Sequence, residues 1–212
     1  MKKIVLCLFS VTFLICVCFS SIRYAPVVST GVEMYQSAVE KTSIQDKIKK
    51  IKTKETYVTL DQISQEYLDK VIDSEDRRFY WHCGIDFIAT ARAMYNNIKA
   101  GAFIQGGSTI TQQLAKNLYF SFEKKYERKV AELLVALNLE TKLTKKEILE
   151  LYCNITYFGE GCYGIKEAAL HYYNVEPSQL TSKQAEALVK TLKAPNNYNP
   201  NAILESALFA LY

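Results

Sequence analysis

No alternating series of apolar and polar residues runs through this chain and no segment of it repeats, so the sequence offers no basis for a sheet protein or a repeat array. Cysteine is thinly supplied as well. Of six cysteines, Cys7, Cys16 and Cys18 lie in an apolar N-terminal run as small hydrophobes, and Cys83, Cys153 and Cys162 are an odd set that cannot all pair. Cys153 and Cys162 stand close enough in sequence to bridge, yet their spacing matches no metal framework, and free buried thiols are the simpler reading. Charge of one sign is equally scarce: 26 Lys and Arg against 22 Asp and Glu leave +4. That balance gives no general electrostatic reason to expect nucleic acid as a partner, so cationic side chains matter only where they cluster. What remains, 49% hydrophobic and 23% charged, is the composition of a globular protein with ample chain for one core.

Charge is absent altogether from Ile4 to Ile22, directly after Met1-Lys2-Lys3. As a helix this run reaches roughly 28 Å, the hydrocarbon thickness of a bilayer. Lys2 and Lys3 favour an inside N-terminus and place the remainder outside the cytoplasm. A cleavable signal peptide is the competing reading, but no small-x-small pair follows the run cleanly, and no small residue precedes Cys16 or Cys18 as lipid attachment prefers. The expectation is an uncleaved signal-anchor over residues 1–23 and a single-pass membrane protein. Residues 24–56, polar and Lys-rich between Lys47 and Lys54, read as a stalk or short helix, and residues 57–212 as the globular domain.

Within that domain helical signals dominate. Ile63, Tyr67, Leu68, Val71 and Ile72 recur at helical spacing and lead into Glu75, which places this carboxylate at a helix end. Asp86 suits the N-cap of a helix over Phe87 to Ile98, and Val130, Leu133, Leu134 and Leu137 form another apolar stripe. Thr144-x-x-Glu147 and Thr181-x-x-Gln184 are capping-box patterns that open two more helices. The fold class is therefore mostly α.

The most informative stretch is Gly106-Gly107-Ser108-Thr109-Ile110-Thr111-Gln112-Gln113-Leu114-Ala115-Lys116-Asn117. The glycines let backbone approach a ligand closely, and a helix begun there offers free N–H groups to an oxyanion. Upstream stands Ser74-Glu75-Asp76-Arg77-Arg78-Phe79-Tyr80-Trp81-His82-Cys83-Gly84. Downstream follow Arg128-Lys129-Val130-Ala131-Glu132, then Glu150-Leu151-Tyr152-Cys153-Asn154 with Gly159, Gly161 and Gly164, and finally Ala194-Pro195-Asn196-Asn197-Tyr198-Asn199-Pro200. In this order and spacing the five segments resemble the signature motifs of the peptidoglycan glycosyltransferases, glycosyltransferase family 51. Gly159-x-Gly161-x-x-Gly164 also looks like a nucleotide loop, but no strand leads into it.

The resemblance implies a lysozyme-like helical fold with a head lobe and a small membrane-facing jaw near Ala93 to Gln105. Met94, Tyr95, Ile98, Phe103 and Ile104 are either the apolar surface of that jaw or core. It implies that lipid II is the acceptor and the growing lipid-linked glycan the donor, with Glu75 as the base for the acceptor 4-hydroxyl. Inversion then gives a β-1,4 link and polyprenyl diphosphate. Such a reaction needs a base and positive charge at the leaving group. Lys116, Lys124 and Arg128 are the implied diphosphate holders, although many members of the family have Arg where Lys124 stands. Glu132 is the second implied catalytic carboxylate; Asp76, Ser108, Gln112 and Gln113 complete the substrate contacts. One of Glu75 and Asp76 is expected to act as base, with His82 structural and bonded to a backbone group. Arg128 and Glu132 are also i and i+4 on one helix, which by itself is an ordinary surface pair. A carboxylate beside a diphosphate needs a neutralising partner, so Mg²⁺ or Mn²⁺ bridging Glu132 and the diphosphate is expected, and no organic cofactor. Ser121-x-x-Lys124 lacks the companion motifs of a transpeptidase, so a separate transpeptidase is the expected partner beside the membrane. A lysozyme-like hydrolase or lytic transglycosylase and a non-catalytic cell-wall scaffold are the alternatives.

Overall fold

The computed structural model describes residues 23–120 and 126–209. The expected membrane anchor and Lys124 lie outside the described residues, and among those described no helix is long and apolar enough to cross a membrane. Residues 23–41 form α1. There follow α2 (Ile44–Lys52), α3 (Gln65–Glu75), α4 (Phe87–Ala100), α5 (Ile110–Tyr119), α6 (Tyr126–Lys142), α7 (Lys145–Ile155), α8 (Ile165–Tyr173), α9 (Ser182–Thr191) and α10 (Pro200–Phe209). The mostly α expectation holds: no strand occurs among the described residues, only an isolated antiparallel bridge between Tyr157 and Tyr163. That bridge closes a turn around Gly159 and Gly161, so no strand leads into the glycine run.

Helix α5 sits at the centre. Ile110, Leu114, Ala115 and Leu118 are buried at helical spacing, and the helix packs against α6 and α7, while α3 packs against α9. Its start is set by a reciprocal cap. The Thr109 hydroxyl accepts the Gln112 N–H at 3.1 Å, and the Gln112 side-chain carbonyl accepts the Thr109 N–H at 3.1 Å. The boxes at Thr144 with Glu147 and at Thr181 with Gln184 form as the sequence predicts. Asp86 caps α4 by accepting the Ala89 N–H at 2.8 Å.

Two regions depart from the pattern read in sequence. On α6 the buried face carries Ala131, Glu132, Val135, Ala136 and Leu139, whereas Leu137 of the expected stripe is 38% exposed. Close packing on α5 selects the small side chains of α6, a choice that hydrophobicity alone does not make. The 24–56 segment, meanwhile, shares the core: Ile44 and Ile51 of α2 are buried in it, and α1 crosses α6 at Gly31, where an added Cβ would lie 2.5 Å from the Val130 Cβ. The Tyr35 hydroxyl accepts a hydrogen bond from the Asn138 amide at 2.8 Å beside this crossing.

Candidate active site

Glu75 is the last residue of α3, and its half-buried carboxylate accepts a hydrogen bond from the Gln113 amide at 2.9 Å. Gln113 is held in turn, its carbonyl accepting from the Tyr152 hydroxyl at 3.2 Å. Burial, with the Glu75 carboxylate adding to it, pushes the Tyr152 phenol well above its ordinary value, so Tyr152 stays a donor. Three helices, α3, α5 and α7, therefore orient one carboxylate. Asn154 braces the same helix, its amide exchanging two 2.8 Å hydrogen bonds with the Val58 backbone.

Asp76 points the other way. Only 6% exposed, it accepts the Ile110 N–H at 3.0 Å and meets His82 Nε2 at 2.9 and 3.0 Å through its two oxygens. These bonds tie the start of α5 to the end of α3 and give Asp76 a structural role, while the residue also borders the cleft beside Glu75. His82 accordingly bonds this carboxylate and not a backbone group. Beside them Arg78 grips Asp86 through two hydrogen bonds of 2.6 and 2.9 Å. Burial alone would raise the Asp86 carboxyl, but the Arg78 and Ala89 bonds outweigh it and hold the group below its usual range. Asp76, His82 and Asp86 bring possible ligand atoms within 4.8 Å of one another, yet these bonds already occupy the carboxylate oxygens.

Glu75 opens into a cleft of about 330 Å³ between the end of α3 and the Gly106–Thr109 approach to α5. Gly107 is needed there, since an added Cβ would sit 3.0 Å from the Thr90 Cα. Ser108 lines this cleft, and its hydroxyl accepts a hydrogen bond from Lys129 Nζ at 2.9 Å. Lys129 also pairs with Glu132 at 2.9 Å, and Arg128 Nε lies 3.0 Å from the other Glu132 oxygen. Glu132 is 1% exposed. Lys116 belongs to the same group: burial lowers its pKa, Glu132 raises it, and Arg128 and Lys129 lower it further. Three cations against one carboxylate leave +2 when Lys116 is protonated (3 − 1 = 2). Such a cluster is suited to an anion.

The structure thus gathers Glu75 with Gln113 and Ser108, and Lys116 with Arg128 and Glu132, and Ser108 with Lys129 joins the two groups. Gln112 is not free to contact a ligand with its carbonyl, which is committed to the α5 cap. Sequence reasoning missed Lys129, whose signal was its i, i+3 spacing from Glu132, Arg77, which stands inside the Ser74 to Gly84 motif, and Arg92, which lines the cleft with no flanking pattern to mark it.

The Transglycosylase family model matches residues 42–209. Penicillin-binding protein 1F of Bacillus subtilis is 43% identical over 143 residues, 68% of this chain and 20% of its own length. Biosynthetic peptidoglycan transglycosylase of Alcanivorax borkumensis is 46% identical over 139 residues, 66% of this chain and 57% of its own length. The protein of that same description from Dechloromonas aromatica is 38% identical over 164 residues, 77% of this chain and 71% of its own length. The chain thus spans about a fifth of the penicillin-binding proteins that it matches.

Proposed function

Since this chain belongs to the Transglycosylase family, we propose that it is a membrane-anchored peptidoglycan glycosyltransferase that polymerises lipid II, with its catalytic domain outside the cytoplasm. The observation that carries this reading is the junction of a positioned carboxylate, Glu75 on Gln113, with a cation cluster around the buried Glu132 through Ser108 and Lys129.

In this reading the acceptor sugar enters the 330 Å³ cleft and presents its 4-hydroxyl to Glu75. As the hydroxyl oxygen bonds to the donor's anomeric carbon, its proton passes to Glu75 and the bond from that carbon to the diphosphate oxygen breaks. Attack opposite the leaving group inverts the centre and gives the β-1,4 link with polyprenyl diphosphate. Lys116, Arg128 and Lys129 stabilise the charge growing on that diphosphate, and the buried Glu132 offsets only one of the three. Lys124 joins them from outside the described residues. Glu132 holds the cations in place and takes no proton. Both Glu132 oxygens face cations, Arg128 at 3.0 Å and Lys129 at 2.9 Å; Mg²⁺ or Mn²⁺ would sit between Glu132 and the diphosphate beside them, and chelation that leaves activity unchanged would assign the charge balance to these side chains alone. A hydrolase would have no use for this phosphate-sized cation cluster.

Exposure supports a lysozyme-like division into head and jaw. Phe87, Ile88, Met94, Tyr95 and Ile98 fall on one stripe of α4, each at least 64% exposed, and Phe103 and Ile104 extend it at 86% and 65%. In this reading the stripe is the jaw's contact with the bilayer surface, where the lipid ends of both substrates lie. The test is polymerisation of labelled lipid II by the detergent-solubilised full chain beside Glu75→Gln. Glycan strands are expected from the wild type, with the variant slower by about 10²–10⁴-fold. Equal rates would overturn the assignment of the base, and release of fragments from purified cell wall would favour a hydrolase.

A further inference from the structure

The cleft beside Glu75 has a second wall, made by α4 and the chain that returns from it. Ala89 and Arg92 of α4 line the cleft, and so does Gln105, just ahead of the glycine pair. Helix α4 ends at Gly101, whose left-handed backbone (φ 61°) turns the chain back along the helix. Asn97 fastens the returning segment. Its side-chain carbonyl accepts the Ile104 and Gln105 N–H groups, each at 2.9 Å, and its amide donates to the Gln105 main-chain carbonyl at 2.9 Å. Asn96, one turn beyond Arg92 on the same side of α4, donates from its amide to the Gln105 side-chain carbonyl at 2.7 Å.

The Asn97 clamp uses only main-chain atoms of the returning segment, so it places residue 105 without requiring a glutamine there. The Asn96 bond concerns the side chain itself. It ties the Gln105 carbonyl back to α4 and leaves the amide Nε2, which donates to no group among the described residues. A half-buried glutamine held in this way lines the cleft as a donor only, and a donor-only group selects a partner that only accepts, a carbonyl before a hydroxyl. Beside it Gly106 leaves open space, since an added Cβ there would meet nothing within 4 Å. A donor next to room for a methyl group matches an acetamido group. The ordinary alternative is a glutamine that merely fastens the loop, but the three Asn97 bonds already do so, and fixing a further side chain costs rotamer entropy that the loop does not require.

We infer that Gln105 is a specificity-determining residue, its side-chain N–H groups binding the acetamido carbonyl at C2 of the acceptor sugar while the 4-hydroxyl of the same ring faces Glu75. The inference rests on the proposed transferase reading. C2 and C4 flank one ring carbon, so their substituents reach toward two walls of the cleft, the end of α3 on one side and the α4 segment on the other. Holding both substituents fixes the ring with its hydroxyl at the base. Asn96 and Asn97 are positioning residues, because they act on the sugar only through Gln105.

The test separates donor from acceptor. The donor is lipid II with its 4-hydroxyl methylated. The acceptor is a lipid II analogue whose diphosphate is joined to the sugar through carbon, so that it cannot be a donor, and whose terminal sugar bears at C2 an acetamido group, a hydroxyl or an ammonium. With the full chain in neutral detergent, kcat/KM is expected to be about 3- to 10-fold higher for the acetamido than for the hydroxyl acceptor, the worth of one neutral hydrogen bond. Gln105→Met keeps the length of the side chain and the main-chain clamp but has no N–H, and is expected to use these two acceptors alike. Gln105→Glu offers an acceptor in place of the donor and is expected to favour the ammonium over the acetamido form. Thermal melts check folding, and should Gln105→Met not fold, the order found with Gln105→Glu decides. Equal use of acetamido and hydroxyl acceptors by the wild type, an undiminished ratio in a folded Gln105→Met, or a Gln105→Glu that still ranks acetamido above ammonium would overturn the inference. Titration of the acceptors with no donor present reads the same ratios without turnover, so the two readings fail separately. Transfer without acetamido selectivity removes the role of Gln105, and selective binding without transfer removes the transferase.

Discussion

Lys116 shows how one side chain's surroundings set its range of use. Burial and the neighbouring Arg128 and Lys129 lower its pKa from the ordinary 10.5, and Glu132 only partly offsets them. A lysine so lowered is fully charged well below its folded pKa and loses its proton earlier than a free lysine as pH rises. The alkaline limb of kcat/KM is therefore expected below pH 10.5, and Lys116→Arg should abolish it, because a guanidinium keeps its charge throughout. Lys116→Ala should cost about 10²–10³-fold in kcat/KM, the scale of one lost oxyanion donor. A pH–rate profile of the three proteins checks this, and an unchanged limb in the arginine variant would place its origin elsewhere. Adjacent residues can differ as sharply as Glu75 and Asp76. The sequence puts both at the end of one helix, but the backbone turns between them, so one carboxylate meets Gln113 at the cleft and the other meets Ile110 and His82 inside the protein. No local pattern distinguishes them, because each partner comes from a distant segment.

Between elements, the crossing of α1 over α6 is the least tolerant contact. In an isolated helix Gly→Ala gains up to about 1 kcal/mol. At Gly31 the same change drives a methyl to within 2.5 Å of the Val130 Cβ and 2.8 Å of the Glu127 carbonyl oxygen, and overpacking of this sort costs about 1–3 kcal/mol. Gly31→Ala is thus expected to destabilise the protein, lowering Tm by roughly 2–12 °C in a calorimetric scan. A raised Tm would show that α1 moves aside freely. Caps were legible for α4, α7 and α9 because a cap is a matter of residues at most four apart. The buried face of α6 was not, since its partner α5 chose Ala131 and Ala136 over the larger Leu137. The place of 24–56 was equally hidden: a polar helix joins a core by supplying only two or three apolar contacts, here Ile44 and Ile51.

Across the whole molecule the exposed apolar stripe of α4 and the cleft beside it would, in the proposed function, set an orientation, with the jaw toward lipid and the proposed base at the level the substrates reach. The chain's single tryptophan, Trp81, reports on this. It is 87% exposed and shares a surface pocket with Phe87 and Ile88. In proteoliposomes its fluorescence is expected to be quenched at least two-fold by lipids brominated along the acyl chain, on the order of the shallow insertion that an interfacial aromatic makes; quenching only by a soluble agent would place the stripe in water.

What the sequence determined by itself was everything that depends on short-range order: the helical class, the caps, the carboxylate at the end of α3, and five ordered motifs sufficient to reveal the family. Tertiary structure alone decided which member of each motif faces a ligand. It turned Asp76, His82 and the Gln112 carbonyl inward and brought Lys129 to Ser108. The physical reason is that helix formation and capping are fixed within one or two turns of chain. A site instead depends on burial and on hydrogen bonds between residues such as Glu75 and Gln113, 38 positions apart, which only packing brings together.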